Sequence, residues 1–170
     1  MKAERSLIAL LQLAYSGERA AALAYRGHSK SVKDSAVSER IKSIEAEEWH
    51  HRKLVGEMLE QLGVKPNRFR EIKAAAIGYC LGFACHFSGW FAPMYGAGKL
   101  ESRNIGEYET AAKYARECGQ LEMIDALLTM AEIEWEHEQF FRAQVEVHFL
   151  ARIIPVWKLP SPKEMIRSKS

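Results

Sequence analysis

The sequence predicts an all-α protein, a four-helix bundle with an additional uncharged crossover helix between its two helical hairpins. Three observations predict this fold. Apolar residues recur every three or four positions along most of the chain, which is the spacing of a buried helix face. The chain contains only five prolines, and three of them follow residue 152. Finally, a Glu-x-x-His pair occurs twice on otherwise apolar helix faces, and facing pairs of this kind are typical of metal-binding bundles.

Each helix is predicted from its apolar spacing and from the residues that interrupt it. The predicted spans are 3–28, 33–63, 69–91, 100–117 and 120–150. The breaks between them are predicted at glycines and prolines, namely Gly27, Gly63, Pro66, Pro93, Gly96, Gly98, Gly119 and Pro155. The helix over 69–91 lies between the two predicted hairpins and is therefore the predicted crossover.

Composition limits the classes of function. A chain of 170 residues suits one domain, and a formal net charge of +2 argues against nucleic acid as a partner. We expect the bundle to cover residues 1–152 and a basic tail to cover 153–170. The tail is predicted to lie in solvent, with contact to an acidic surface or anionic lipid as the alternative.

The cysteines and the first residues of the chain indicate the cellular compartment in which the protein is expected. The three cysteines form no CxxC pair, which fits a reducing cytoplasm and argues against disulfides and structural zinc. The first apolar run passes directly into the amphipathic pattern that contains Glu18, so we do not expect a signal peptide.

The helical register selects the acid and the histidine of each pair. In the second predicted helix, Glu48 and His51 fall on the apolar stripe, whereas Glu47 and His50 fall off it. In the last helix, Glu134 and His137 likewise fall on the apolar stripe. A carboxylate and an imidazole three residues apart lie one turn apart and can reach the same metal ion.

A single glutamate on each of two other helices completes a repeated pattern. Glu18 is the only acid on the stripe of the first helix, and Glu107 is the only acid on the stripe chosen for the helix over 100–117. Glu109 remains the rival on a less apolar stripe. Tyr25 and Tyr114 each follow their glutamate by seven residues. We expect them to donate hydrogen bonds near the site or to line its pocket, and ordinary packing in the core is the alternative.

Glutamates on apolar stripes are costly to bury unless their charge is compensated. Two divalent cations would neutralise four carboxylates. One glutamate from each of two helices and Glu-x-x-His from each of the other two match the ligand set of ferritin-like di-iron or di-manganese bundles. The donors suit iron, with manganese as the alternative. The predicted ligands are Glu18, Glu48, His51, Glu107, Glu134 and His137.

A run of 25 residues, 74–98, contains no Lys, Arg, Asp or Glu. Three interpretations remain open for it: a helix buried in a homodimer interface, a helix on the membrane surface, and a membrane span. The spacing Gly78-x3-Gly82 permits close approach of another helix in any of these settings.

Together these motifs resemble the demethoxyubiquinone hydroxylase family of the ferritin-like superfamily, over about residues 7–150. The resemblance implies a di-iron enzyme, peripherally associated with the inner face of a membrane, that hydroxylates a quinone ring with O2 in ubiquinone biosynthesis. It also implies that Glu48 and Glu134 are the bridging carboxylates.

The leading functional hypothesis is a di-iron monooxygenase that acts on an apolar, quinone-like substrate. The sequence contains no dinucleotide-binding glycine motif and no iron–sulfur cysteine cluster, so electrons are expected from an external donor or from the reduced substrate. The alternatives are a rubrerythrin-like peroxidase or oxidative-stress protein and a non-catalytic iron-binding bundle.

Overall fold

The computed structural model describes residues 2–168. Within this range the chain forms helices and no β-strand, which confirms the predicted all-α helical bundle. The helices are α1 (Lys2–Ser31), α2 (Ser35–Gln61), α3 (Arg68–Ala84), α4 (Phe91–Glu117), α5 (Ile124–Glu146) and α6 (Glu164–Ser168). Short 3-10 helices cover Leu121–Met123 and Phe149–Arg152. The described chain divides into an N-terminal unit, residues 8–90, and a C-terminal unit that combines residues 91–168 with residues 2–7.

In the N-terminal unit, side-chain caps and a glycine set the ends of the helices. Asp34 accepts a hydrogen bond from the backbone N–H of Val37 at 3.0 Å and caps α2, and Asn67 caps α3 in the same way. Gly63 follows α2 with a φ of +69°, a left-handed conformation that glycine adopts without strain. One face of α2 is buried, and Glu48 and His51 lie on it as the sequence stripe predicts.

Helix α3 packs closely against α1 through glycines. A Cβ atom added to Gly27 would lie 2.4 Å from the Cα of Gly82, and one added to Gly78 would lie 2.6 Å from the carbonyl oxygen of Ala20. Backbones can approach this closely only where side chains are absent. The Gly78-x3-Gly82 motif therefore acts within this unit, against α1.

The rest of α3 carries a large apolar surface. The exposed apolar side chains of α3 and of the turn after it are Phe69, Ile72, Ile77, Tyr79, Leu81, Phe83 and Phe87. An exposed apolar patch larger than is usual on a monomer often marks a site of contact with another protein or a membrane. Among the described residues, no helix combines the length and the hydropathy needed to cross a bilayer.

The break predicted at Pro93, Gly96 and Gly98 is wrong. The chain turns over residues 85–90, where Gly89 has a φ of +75°, and α4 begins at Phe91. Pro93 is the third residue of α4, in the first turn, where a backbone N–H has no partner within the helix and its absence costs little. Helix α4 is therefore nine residues longer at its start than predicted. The added residues include Phe91, Met94 and Ala97, which are buried and extend the buried face of the helix.

Most described residues of the tail are exposed, as expected of a solvated tail, but some of its side chains anchor it to α5. Ile166 is 1% exposed, Lys163 forms an ion pair with Glu136 of α5, and Arg167 forms ion pairs with Asp125 and Glu132. The acidic surface that the basic tail contacts belongs to α5 of the same unit.

Candidate metal centre

The N-terminal unit contributes a buried set of two carboxylates and one imidazole. Glu18 of α1 is 4% exposed, while Glu48 and His51 of α2 are fully buried. Each residue offers one ligand atom, and these atoms all lie within 4.8 Å of one another. His50, the neighbour excluded by the helical register, is exposed. The structure thus places Glu18, Glu48 and His51 where they can share an ion.

The C-terminal unit contributes a set of the same composition. Glu101 of α4 and Glu134 and His137 of α5 are fully buried, and their ligand atoms also lie within 4.8 Å of one another. Nδ1 of His137 lies 3.7 Å from Oε2 of Glu134. Each unit therefore supplies one glutamate from one helix and a Glu-x-x-His pair from the next.

Helix α4 provides Glu101, whereas the sequence stripe had selected Glu107. Arg103 donates a hydrogen bond to Glu107 at 2.6 Å, and this ion pair lies on the outer side of the helix. Residues six positions apart point about 120° apart on an α-helix, so Glu101 and Glu107 cannot share a face. Glu109, the rival candidate, also lies outside the set. This placement corrects the predicted face of α4.

A continuous buried stripe identifies Glu101 once the true start of α4 is known. The stripe repeats at the spacing of a helix face and consists of Phe91, Met94, Ala97, Glu101, Ile105, Tyr108, Ala112 and Ala115. The predicted helix began at residue 100, so the first turns of this stripe lay outside it. The residues from 100 onward fit a second apolar stripe, the one that contains Glu107.

In the second Glu-x6-Tyr pair, the structure places a different tyrosine from the predicted one, as it does for the glutamate. Tyr25 is 3% exposed on α1, and Tyr108 is 3% exposed on α4. Tyr114, the predicted partner, is only half-buried. The buried pairs are therefore Glu18 with Tyr25 and Glu101 with Tyr108.

Two arginines link the three helices of the N-terminal unit. Each comes directly after a site residue in the sequence. Arg19 follows Glu18, Arg52 follows His51, and both donate hydrogen bonds to the carboxylate of Glu71 on α3 at 3.2 Å. Burial acts to raise the pKa of Glu71, but the hydrogen bonds from Arg52, Ser16 and Arg19 and the charge of Arg52 lower it below its usual value. This ion network ties α1 and α2 to α3 immediately beside the metal-site residues.

The donor chemistry fits a divalent metal ion. Two buried carboxylates in one small volume repel each other and are costly to desolvate, and a divalent cation offsets both effects. Carboxylate oxygens with a single imidazole suit iron and manganese better than metals that prefer thiolates. The helical fold and these paired sets define the class of ferritin-like di-iron carboxylate proteins.

The chain belongs to the family described as ubiquinone biosynthesis protein COQ7, whose family model matches residues 5–140. The resemblance seen in the sequence is confirmed, because this family is the ferritin-like di-iron carboxylate family of demethoxyubiquinone hydroxylase. The family takes part in ubiquinone biosynthesis at a hydroxylase step. The comparison with curated proteins found no match, nor did the comparison with solved structures.

Proposed function

We propose that each of the two sets holds one iron ion and that the protein uses O2 to hydroxylate an apolar, quinone-like substrate. The observation that carries the proposal is the recurrence, in each unit, of two carboxylates and one imidazole on buried faces. Membership of the COQ7 family supports the same chemistry. Manganese is the alternative metal for this donor set.

In this proposal Glu18, Glu48 and His51 would hold the ion of the N-terminal unit, and Glu101, Glu134 and His137 would hold that of the C-terminal unit. The glutamates would supply carboxylate oxygens and the histidines imidazole nitrogens. Bound iron supplies the O2 activation. Glutamate ligands suit this task because a carboxylate can change between bridging and terminal binding without moving its helix.

Two further roles follow from burial. Tyr25 and Tyr108 lie two turns beyond Glu18 and Glu101 on the same helix faces, about 10 Å along the axis. We infer that their phenol groups line the substrate path and orient an oxygenated ring. The electrons come from an external donor or from the reduced substrate.

We further propose that the exposed apolar face of α3 contacts the inner face of a cytoplasmic membrane. The face carries Phe69, Phe83 and Phe87, and the exposed Arg68 and Arg70 lie at the start of the helix, where they suit anionic lipid headgroups. Such a contact would bring the protein to an apolar substrate dissolved in lipid.

Liposome flotation tests this contact. Wild-type protein is expected to float with vesicles that contain anionic lipid, and the double substitution F83S/F87S is expected to abolish flotation. Phe149→Ser, which removes a 65% exposed phenylalanine from the C-terminal unit, is the matched control and should float. If the wild type does not bind vesicles and instead forms a dimer that F83S/F87S dissociates, the face is a homodimer interface.

The function itself is tested with protein loaded with Fe(II) in the absence of oxygen, whose metal content is then measured. One sample receives O2 and a reduced quinone, and a second sample receives peroxide. Two irons per chain and an oxygenated quinone product support the proposal. Rapid peroxide consumption without oxygenated product would identify a rubrerythrin-like peroxidase. Stable iron binding without turnover of either compound would identify an iron-binding bundle.

A further inference from the structure

The segment after residue 152 lies outside the part of the chain that the family model matches, yet it follows α5 closely. Its successive residues contact positions progressively nearer the start of α5. Trp157 contacts Glu138, the carbonyl of Ser161 accepts a hydrogen bond from Trp135 at 3.0 Å, and Arg167 reaches Asp125. The segment therefore runs antiparallel to the helix that carries Glu134 and His137.

Trp157 of this segment packs against α4 in the C-terminal unit. A Cβ atom added to Gly98 of α4 would lie 2.3 Å from the indole ring, so the ring occupies space that only glycine leaves open. Tyr95 contacts the indole edge-on, with ring centroids 5.3 Å apart, and donates a hydrogen bond to the carbonyl of Pro155 at 3.0 Å. Helix α4 thus holds the ring in one place.

The indole N–H points to a buried carboxylate beside the metal-site residues. Glu138 is fully buried, directly follows His137, and lies one turn after Glu134. Nε1 of Trp157 donates to Oε1 of Glu138 at 2.7 Å, and Nε of Arg142 donates to the same oxygen at 2.8 Å. Gln139 donates to the other oxygen.

The tail also completes the hydrogen bonding of the arginine. Arg142 is 7% exposed and donates to the backbone carbonyls of Trp157 and Lys158 at 3.2 and 3.3 Å, while its guanidinium lies 4.9 Å from the centre of the indole ring. A buried ion pair is stable only when its remaining donors and acceptors are satisfied. Here the tail supplies a donor to Glu138 and two acceptors to Arg142.

We propose that Trp157 is a positioning residue for the metal site: through Glu138 and Arg142 it holds the turn of α5 that presents Glu134 and His137. Without the indole N–H, Glu138 loses a charge-assisted hydrogen bond in a buried position, and the turn is free to shift toward water. This inference rests on the proposed metal centre, because it assigns a role in metal binding to a residue that touches no predicted ligand.

The test compares Trp157→Phe with Trp135→Phe. The first substitution keeps an aromatic ring over Gly98 and removes only the N–H donated to Glu138. The second removes an indole N–H that donates to a tail carbonyl at an exposed site, so it is the matched control. Both variants and the wild type are titrated with Co(II), followed by visible absorption, and the thermal unfolding of each metal-free protein is recorded.

Trp157→Phe is expected to weaken Co(II) binding by about 10-fold or more and to change the absorption spectrum, as the loss of a supporting hydrogen bond does at other metal sites. Trp135→Phe should match the wild type in both. Gly98→Ala, which changes no residue of the tail but fills the space of the indole ring, should reproduce the effect of Trp157→Phe. If Trp157→Phe lowers only the unfolding temperature and leaves affinity and spectrum unchanged, the inference is overturned. If the wild type itself binds no Co(II), the proposed metal centre fails as well.

Discussion

Glu101 lies seven residues before Tyr108, and both side chains are buried on one face of α4. Glu18 and Tyr25 have the same spacing and the same burial on α1. Seven residues correspond to about two helical turns, so each tyrosine lies on the same side of its helix as its glutamate. The repeat that relates the two units is therefore a repeat of buried pairs, and it identifies the glutamate of α4.

Metal loading distinguishes the two glutamates of α4. We expect Glu101→Gln to lose at least one of the two proposed irons, because it replaces a buried carboxylate with a neutral amide. Glu107→Gln should retain both irons, since Glu107 forms an ion pair with Arg103 on the outer side of the helix. Iron analysis after anaerobic loading measures the difference. If Glu101→Gln bound iron fully and Glu107→Gln lost iron, the ligand-bearing face of α4 would be the one predicted from the sequence.

The close contact between α1 and α3 predicts a strong effect at one glycine. Gly27→Ala places a methyl group against the backbone of Gly82, and overpacking of this kind costs about 1–3 kcal/mol. Gly17→Ala on the same helix meets nothing within 4 Å and should stabilise the helix by up to about 1 kcal/mol. Urea unfolding of the metal-free proteins measures both changes. Equal stabilities for the two variants would contradict the packing of α3 on α1.

The Glu71 network predicts a cost for removing its carboxylate. Glu71→Ala leaves Arg52 and Arg19 without the acceptor they share, so a loss of roughly 1.5–3 kcal/mol is expected. Glu107→Gln, which breaks an ion pair whose arginine is 68% exposed, should change stability by no more than about 1 kcal/mol. Denaturant unfolding at pH 7 compares them. A Glu71→Ala variant as stable as the wild type would show that the network adds nothing.

His28 predicts a pH dependence of stability. Burial lowers the pKa of this imidazole from 6.5 to about 4, so the folded chain keeps it neutral where the unfolded chain is protonated. Below pH 6.5 the unfolded state binds more protons, and stability falls as the pH drops toward 4, by about 3 kcal/mol in total. His28→Gln should reduce this loss, measured as the unfolding free energy at pH 7 and pH 4.5. An unchanged pH dependence in the variant would show that His28 is not its source.

The site residues whose predicted burial and clustering the structure shows are those whose geometry is local. A Glu-x-x-His pair lies within one helical turn, so the placement of Glu48 with His51 and of Glu134 with His137 depends only on helix formation and on the apolar stripe around each pair. Glu18 was found for the same reason, because an uninterrupted helix surrounds it. Local spacing was also sufficient to predict the all-α fold.

Tertiary structure alone decided the features that depend on distant residues. The start of α4 at Phe91 places Pro93 in the first turn and adds Phe91, Met94 and Ala97 to the buried face that contains Glu101. No local rule separates a proline in a first turn from one that ends a helix. The packing of the tail depends on Trp157 fitting over Gly98, 59 positions earlier in the chain. Such contacts depend on complementary shape and on buried hydrogen bonds, which the spacing of residues along one helix does not encode.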